Sequence, residues 1–88
     1  MRVIDILIED KVKEKILNKH NVRSLEIKQV ILGDPYVVKS GKNRYMAIGF
    51  YQRFLTIIFE MEKDTAIIIT AYPSTTAQGK LYKVKKSR

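Results

Sequence analysis

Gly33-Asp34-Pro35 divides this chain into two parts with different hydrophobic periods, and that switch limits the fold more than any other feature. Ahead of it apolar residues recur at helical spacing, and beyond it they alternate. Val12 and Ile16, with Leu17 beside them, mark one face of a helix from Lys11 to about His20. Asp10 is placed to cap its start, and Asn21 to end it in the left-handed conformation that Asn tolerates. Ser24 is the N-cap candidate of a second, shorter helix with Ile27, Val30 and Ile31 in its apolar stripe. Before both helices, the run Val3 to Ile8 is β-branched and apolar enough for a first strand.

Beyond Pro35 the pattern is that of a meander. Tyr36-Val37-Val38 reads as a short strand, followed by the turn cluster Ser40-Gly41-Lys42-Asn43. Arg44 to Phe50 alternates Met46, Ile48 and Phe50 against Tyr45, Ala47 and Gly49, and Tyr51-Gln52 turns the chain. Arg53 to Met61 points Leu55, Ile57, Phe59 and Met61 one way, Glu62-Lys63-Asp64 turns again, and Thr65 to Tyr72 follows. Ala66 to Ile69 is apolar on both faces, as in a central strand covered by helices. Pro73 ends the sheet, and Ser74 or Thr75 can cap a last helical turn through Lys80, Leu81 and Tyr82. The order β-α-α-β-β-β-β predicts an α+β fold: an antiparallel sheet, two helices packed on one face, and the other face at least partly free. Residues 1–88 then form a single domain with a basic C-terminal segment, 73–88.

Composition narrows the chemistry. Cysteine is absent and there is one histidine, which removes disulfides, thiolate nucleophiles, zinc–thiolate sites and His-rich metal sites, so no cofactor is expected. The Val3–Ile8 run is interrupted by Asp5 and is too short for a signal segment or a membrane span, so a cytoplasmic protein is expected. The net charge of +8 is uneven: residues 44–72 are neutral, whereas 73–88 carry five basic side chains and no carboxylate. Such a segment on the end of a sheet suits a polyanion, RNA before DNA at this size; the plain alternative is a solubilising tail.

Several short motifs, in order, resemble the BrnT family of toxins from bacterial and archaeal toxin–antitoxin pairs. They are Lys19-His20-Asn21-Val22, Leu25-Glu26-Ile27, Asp34-Pro35, Arg44-Tyr45-Met46-Ala47-Ile48-Gly49, Arg53-Phe54-Leu55-Thr56, Ile69-Thr70-Ala71 and the late Tyr82. The resemblance spans about Lys11 to Lys83 and implies a RelE-like fold, endoribonuclease activity on mRNA, free or on the ribosome, and inhibition of translation. It also implies a co-encoded antitoxin, commonly a ribbon-helix-helix protein, in a hetero-oligomer; a homodimer is the other assembly considered. Two departures stand out. Tyr72 occupies the place of an arginine after the last strand's small residue, and residues such as Gln78 and Lys80 stand where a Glu-Arg pair is usual.

Cleavage of RNA by its own 2′-hydroxyl needs a base, an acid and cations facing the charge that builds on phosphorus. Histidine is the side chain suited to proton transfer near neutral pH, which singles out His20. Arg53 and Arg44 open adjacent strands, and both are candidates to hold a phosphate with His20. Lys19, Lys80 and Lys83 add positive charge, while Tyr72 and Tyr82 can stack on a base or donate a proton. Each has a plainer role as well. His20 can serve the helix dipole, the arginines can guard strand edges, the tyrosines can pack, and the row Lys11, Lys15, Lys19 can be a solvated face. A non-catalytic RelE-fold module that binds RNA or an antitoxin is therefore the alternative to an enzyme, and an interaction domain with a solubilising tail is a third reading.

Overall fold

The computed structural model describes residues 3–86. Its elements run β1 (Asp5–Leu7), α1 (Asp10–His20), α2 (Ser24–Leu32), β2 (Tyr36–Lys39), β3 (Arg44–Tyr51), β4 (Arg53–Glu62), β5 (Thr65–Pro73) and α3 (Thr76–Lys86). The five strands form one sheet in the order β1-β5-β4-β3-β2. Strands β2 to β5 pair antiparallel with their sequence neighbours, as hairpin-length gaps require. The β1 strand departs from the antiparallel expectation: it runs parallel to β5, with Ile6 opposite Ala66. A hairpin forces antiparallel pairing only on the strands it joins, and β1 reaches β5 through the rest of the chain, so no turn fixes its direction.

Both predicted helices lie on one face. Ile16, Val22, Ile27, Val30 and Ile31 pack there against Ala47, Leu55, Ile57, Phe59, Ala66, Ile68 and Ala71, the continuous core of the domain. Gly49 sits on the same face, where a Cβ would come within 2.7 Å of Val30 Cγ1, so its missing side chain is what lets α2 close onto β3. Asn21 takes the expected left-handed conformation (φ 54°) and returns its N–H to the Leu17 carbonyl at 3.0 Å. The N-caps differ by one position from expectation: Glu9 precedes α1 and Arg23 precedes α2.

The other face is only partly free. The segment expected to hold one helical turn forms the three-turn helix α3, capped reciprocally by Thr75 and Gln78. Gln78 reaches Thr56 on β4, Tyr72 on β5 and the sulfur of Met46 on β3, so α3 lies across the sheet opposite α1 and α2. Its far end is tied to the loop before β2 by Lys86 and Asp34 at 2.7 Å. Much of the basic C-terminal segment is therefore a packed third layer.

One irregularity matters for the site. The β4–β5 ladder shifts register between Ile58 and Phe59: Ile58 pairs with Thr70 and Phe59 with Ile68, leaving Ile69 as the extra residue of a bulge. Strict alternation from Ala66 and Ile68 would carry Thr70 and Tyr72 onto the core face. The bulge instead buries Ala71 there and turns Tyr72 toward α3.

Candidate functional site

At the end of the sheet where β4 begins, α1 ends and α3 starts, several polar side chains meet. Thr56 is fully buried, and its hydroxyl bonds both Ser74 Oγ (2.8 Å) and Gln78 Oε1 (2.9 Å). The Gln78 amide nitrogen donates to the Tyr72 hydroxyl at 3.0 Å, so that phenol accepts from Gln78 and its own proton is directed elsewhere. His20, at the C-terminal end of α1, approaches Tyr72 from the other side, with ring centroids 6.0 Å apart and tilted by 52°. The structure thus brings His20, Tyr72 and Gln78 into one chain of contacts.

Arg53 projects from the other, α1/α2 face of the sheet and meets the end of α1 there. Its Nη2 donates to the Asn21 carbonyl, next in sequence to His20, at 2.6 Å and to Glu26 Oε1 at 3.2 Å, while Nε donates to Glu26 Oε2 at 3.2 Å. Glu26 is 4% exposed, and its Oε1 also accepts the Arg23 N–H at 3.0 Å. Burial alone pushes the Glu26 carboxyl up. The Arg23 N–H, the Arg53 hydrogen bonds and the charges of both arginines outweigh it and hold the group below the usual carboxylate range. Arg53 is accordingly the counter-ion of a buried carboxylate and the pin of the α1 terminus. Among the described residues its Nη1 bonds no acceptor, which leaves two hydrogens for a further one.

Arg44 does not join this group. It faces Glu60 across β3–β4, at 3.2 Å on the surface, whereas Arg53 faces Tyr51. Neighbouring antiparallel strands begin at opposite ends of the sheet, so first residues of successive strands are kept apart. The separation is about 24 Å, taken from the seven steps along β4 from Arg53 to Glu60 at about 3.4 Å each. The expectation that both arginines reach one phosphate is corrected by that geometry.

Among the candidate binding residues, Lys19 is exposed on the last turn of α1 and Lys80 on α3. Tyr82 packs edge-on against Phe54 with centroids 5.5 Å apart, and Lys83 Nζ lies 5.5 Å from the centre of the same ring. The carboxylate Glu26 and the amide Gln78 were not among the candidates. Gln78 was open to detection as the N3 partner in the capping box Thr75-x-x-Gln78. Nothing local marked Glu26 as buried, since its partner lies 27 residues away in sequence.

His20, Tyr72 and Gln78 are half-buried around the buried Thr56. A cleft of about 300 Å³ does open elsewhere, by Val3, Ile31, Asp34, Val37 and Phe59, and it shares no residue with the His20–Tyr72 group. Among the described residues no helix is long and apolar enough to cross a membrane.

An α+β domain with a mixed five-stranded sheet, two helices on one face and a third across the other is the class that this architecture defines. The ribonuclease toxin BrnT of Brucella abortus is similar to it in fold. Its crystal structure matches this chain with a TM-score of 0.70, over 84% of this chain and 100% of that one, at 16% sequence identity. The chain therefore has the BrnT-like toxin fold, and the resemblance drawn from its motifs holds at the level of fold. No family profile matches the sequence, and no curated protein matches it.

Proposed function

We propose that the chain is the endoribonuclease of a toxin–antitoxin pair, acting on mRNA in the cytoplasm and inhibiting translation. The observation that carries this reading is the contact of His20 with Tyr72, together with the reach of Arg53 to the Asn21 carbonyl next to His20, in a BrnT-like fold. In the proposed reaction His20 takes the proton of a 2′-hydroxyl, whose oxygen bonds to the adjacent phosphorus. Tyr72, held by Gln78, protonates the leaving 5′-oxygen as its bond to phosphorus breaks. Arg53 Nη1 faces the phosphorane charge, and Lys19, Lys80, Tyr82 and Lys83 hold the flanking strand. The products are a 2′,3′-cyclic phosphate end and a 5′-hydroxyl end. A co-encoded antitoxin, of the ribbon-helix-helix type common to such pairs, neutralises the enzyme by forming a complex with it.

The commitment of Arg53 to Glu26 favours the second reading, a non-catalytic module that binds RNA or an antitoxin. End-group analysis of RNA incubated with the protein separates the two. The enzyme reading expects cyclic-phosphate ends, with His20→Ala and Tyr72→Phe each slowing their appearance by roughly a hundredfold. Intact RNA with the folded wild-type protein, or unchanged cleavage by His20→Ala, leaves the module reading in its place.

A further inference from the structure

Three aromatic side chains run across the α3 face of the sheet at the same end as His20 and Arg53. Tyr82 on α3 meets Phe54 on β4, and Phe54 meets Phe50 on β3 at 5.0 Å between centroids, with planes at 73°. Phe50 is 58% exposed, although the strand alternation that places it also gives its neighbour Ile48 a fully buried position. An exposed phenylalanine by itself means little. This one ends a row of rings over which Lys83 sets its ammonium group.

The electrostatic setting is one-sided. Residues 44–59 and 65–88, which supply every ring in the row and all of α3, contain no carboxylate. Nearby Glu26 is already neutralised by Arg53, and Asp34 is paired with Lys86. An exposed ring backed by two half-buried ones, on segments rich in lysine and free of carboxylates, matches the chemistry of single-stranded nucleic acid: bases stack on rings while phosphates meet lysines. An acidic protein surface would find the lysines but would gain nothing from a base-sized ring row.

From this we infer that Phe50, backed by Phe54 and Tyr82, is a stacking platform for an unpaired base of the RNA, next to the scissile phosphate. The inference rests on the reading of the chain as an RNA-acting toxin and adds Phe50 and Phe54, which that reading does not use. Phe50 is a binding residue here. The platform accepts any base, because every base presents a π-face, so it contributes affinity and register without sequence choice.

The test measures fluorescence anisotropy of a labelled 2′-O-methyl oligouridylate, which cannot be cleaved, and of an abasic strand of equal length. The full chain is compared with Phe50→Ala, Phe50→Leu and Phe50→Trp, each checked for folding by circular dichroism. Loss of one stacked base weakens oligouridylate binding about 5- to 150-fold in Phe50→Ala. Phe50→Leu, which keeps apolar bulk without a π-face, is expected to lose most of the same affinity, and Phe50→Trp to retain it. The salt slope and the affinity for the abasic strand stay at wild-type values, since no phosphate contact changes. Equal loss on both strands, or full retention by Phe50→Leu, overturns the platform. Wild-type binding with an unaffected Phe50→Ala overturns this inference alone; absence of wild-type binding to either strand at low salt overturns the RNA reading with it.

Discussion

Replacing Arg53 by alanine removes both Nε and Nη2 hydrogen bonds from Glu26 and the one to the Asn21 carbonyl. Were Arg53–Glu26 a surface pair, the loss would be about 0–1 kcal/mol. The Glu26 side chain is only 5% exposed, however, and what remains to it is one backbone N–H and the more distant, solvated Arg23 guanidinium at 3.8 Å. Breaking a buried pair costs about 3–5 kcal/mol. Arg53 itself is 36% exposed, and water can partly replace it, so the low end applies: about 3 kcal/mol. For a domain whose total stability is of order 5–10 kcal/mol, that is a large share. Urea unfolding followed by far-ultraviolet circular dichroism at pH 7 measures it. The pH dependence has a fixed sign. The folded-state pKa of Glu26 lies below its ordinary 4.5, so its contribution is present above that value and is lost as pH falls through the lowered one. In Arg53→Ala the burial effect has less to oppose it, so the deficit against wild type narrows as the solution is acidified. Adding Glu26→Gln to Arg53→Ala restores part of the stability at pH 7, because the stranded charge is gone. A loss under about 1 kcal/mol, or no recovery in the double variant, would refute the argument. For activity, Arg53→Ala is therefore confounded by folding, and Arg53→Lys with Glu26 intact is the cleaner variant.

Other substitutions follow from the packing. Gly49→Ala drives a methyl into Val30 and is expected to cost about 1–3 kcal/mol in urea unfolding, with Val30→Ala in the same chain relieving part of the clash. Gly79→Ala, by contrast, places its methyl 4.0 Å from Phe54 Cδ2 within α3, an ordinary contact. It should therefore stabilise the domain by about 0.5–1 kcal/mol, and a loss would mean that α3 does not tolerate a helical side chain there. Replacing Lys80, Lys83, Lys85 and Lys86 together by Gln should flatten the salt dependence of single-stranded RNA binding, each lysine that meets a phosphate contributing about 0.7 to the logarithmic slope. An unchanged slope would leave these lysines without a phosphate role.

The legible parts of the fold are those controlled by near neighbours. Asn21 ended α1, the paired gaps at Gln52 and Lys63-Asp64 gave the β3–β4–β5 meander, and Thr75 capped a helix, because caps and turns depend on residues a few positions apart. The length of α3 was not legible in the same way. It buries no residue completely, and its weak apolar stripe holds its place through Gln78, Tyr82 and Lys86, whose partners are distant in sequence. Of the candidate site, the residue types could be named from the sequence and the distances between them could not.

The sequence by itself thus determined the local elements, their order and the antiparallel meander, for each follows from periodicity, turn length and backbone preference. Tertiary structure decided which side chains meet. It set β1 parallel to β5, separated Arg44 from Arg53 by the length of a hairpin, and gave Arg53 to the buried Glu26. It also placed the extra residue Ile69 in β5, so that Tyr72 turns from the core face to Gln78 and His20. A strand's period assigns its faces only while its register is unbroken, and the register is fixed by the strand beside it.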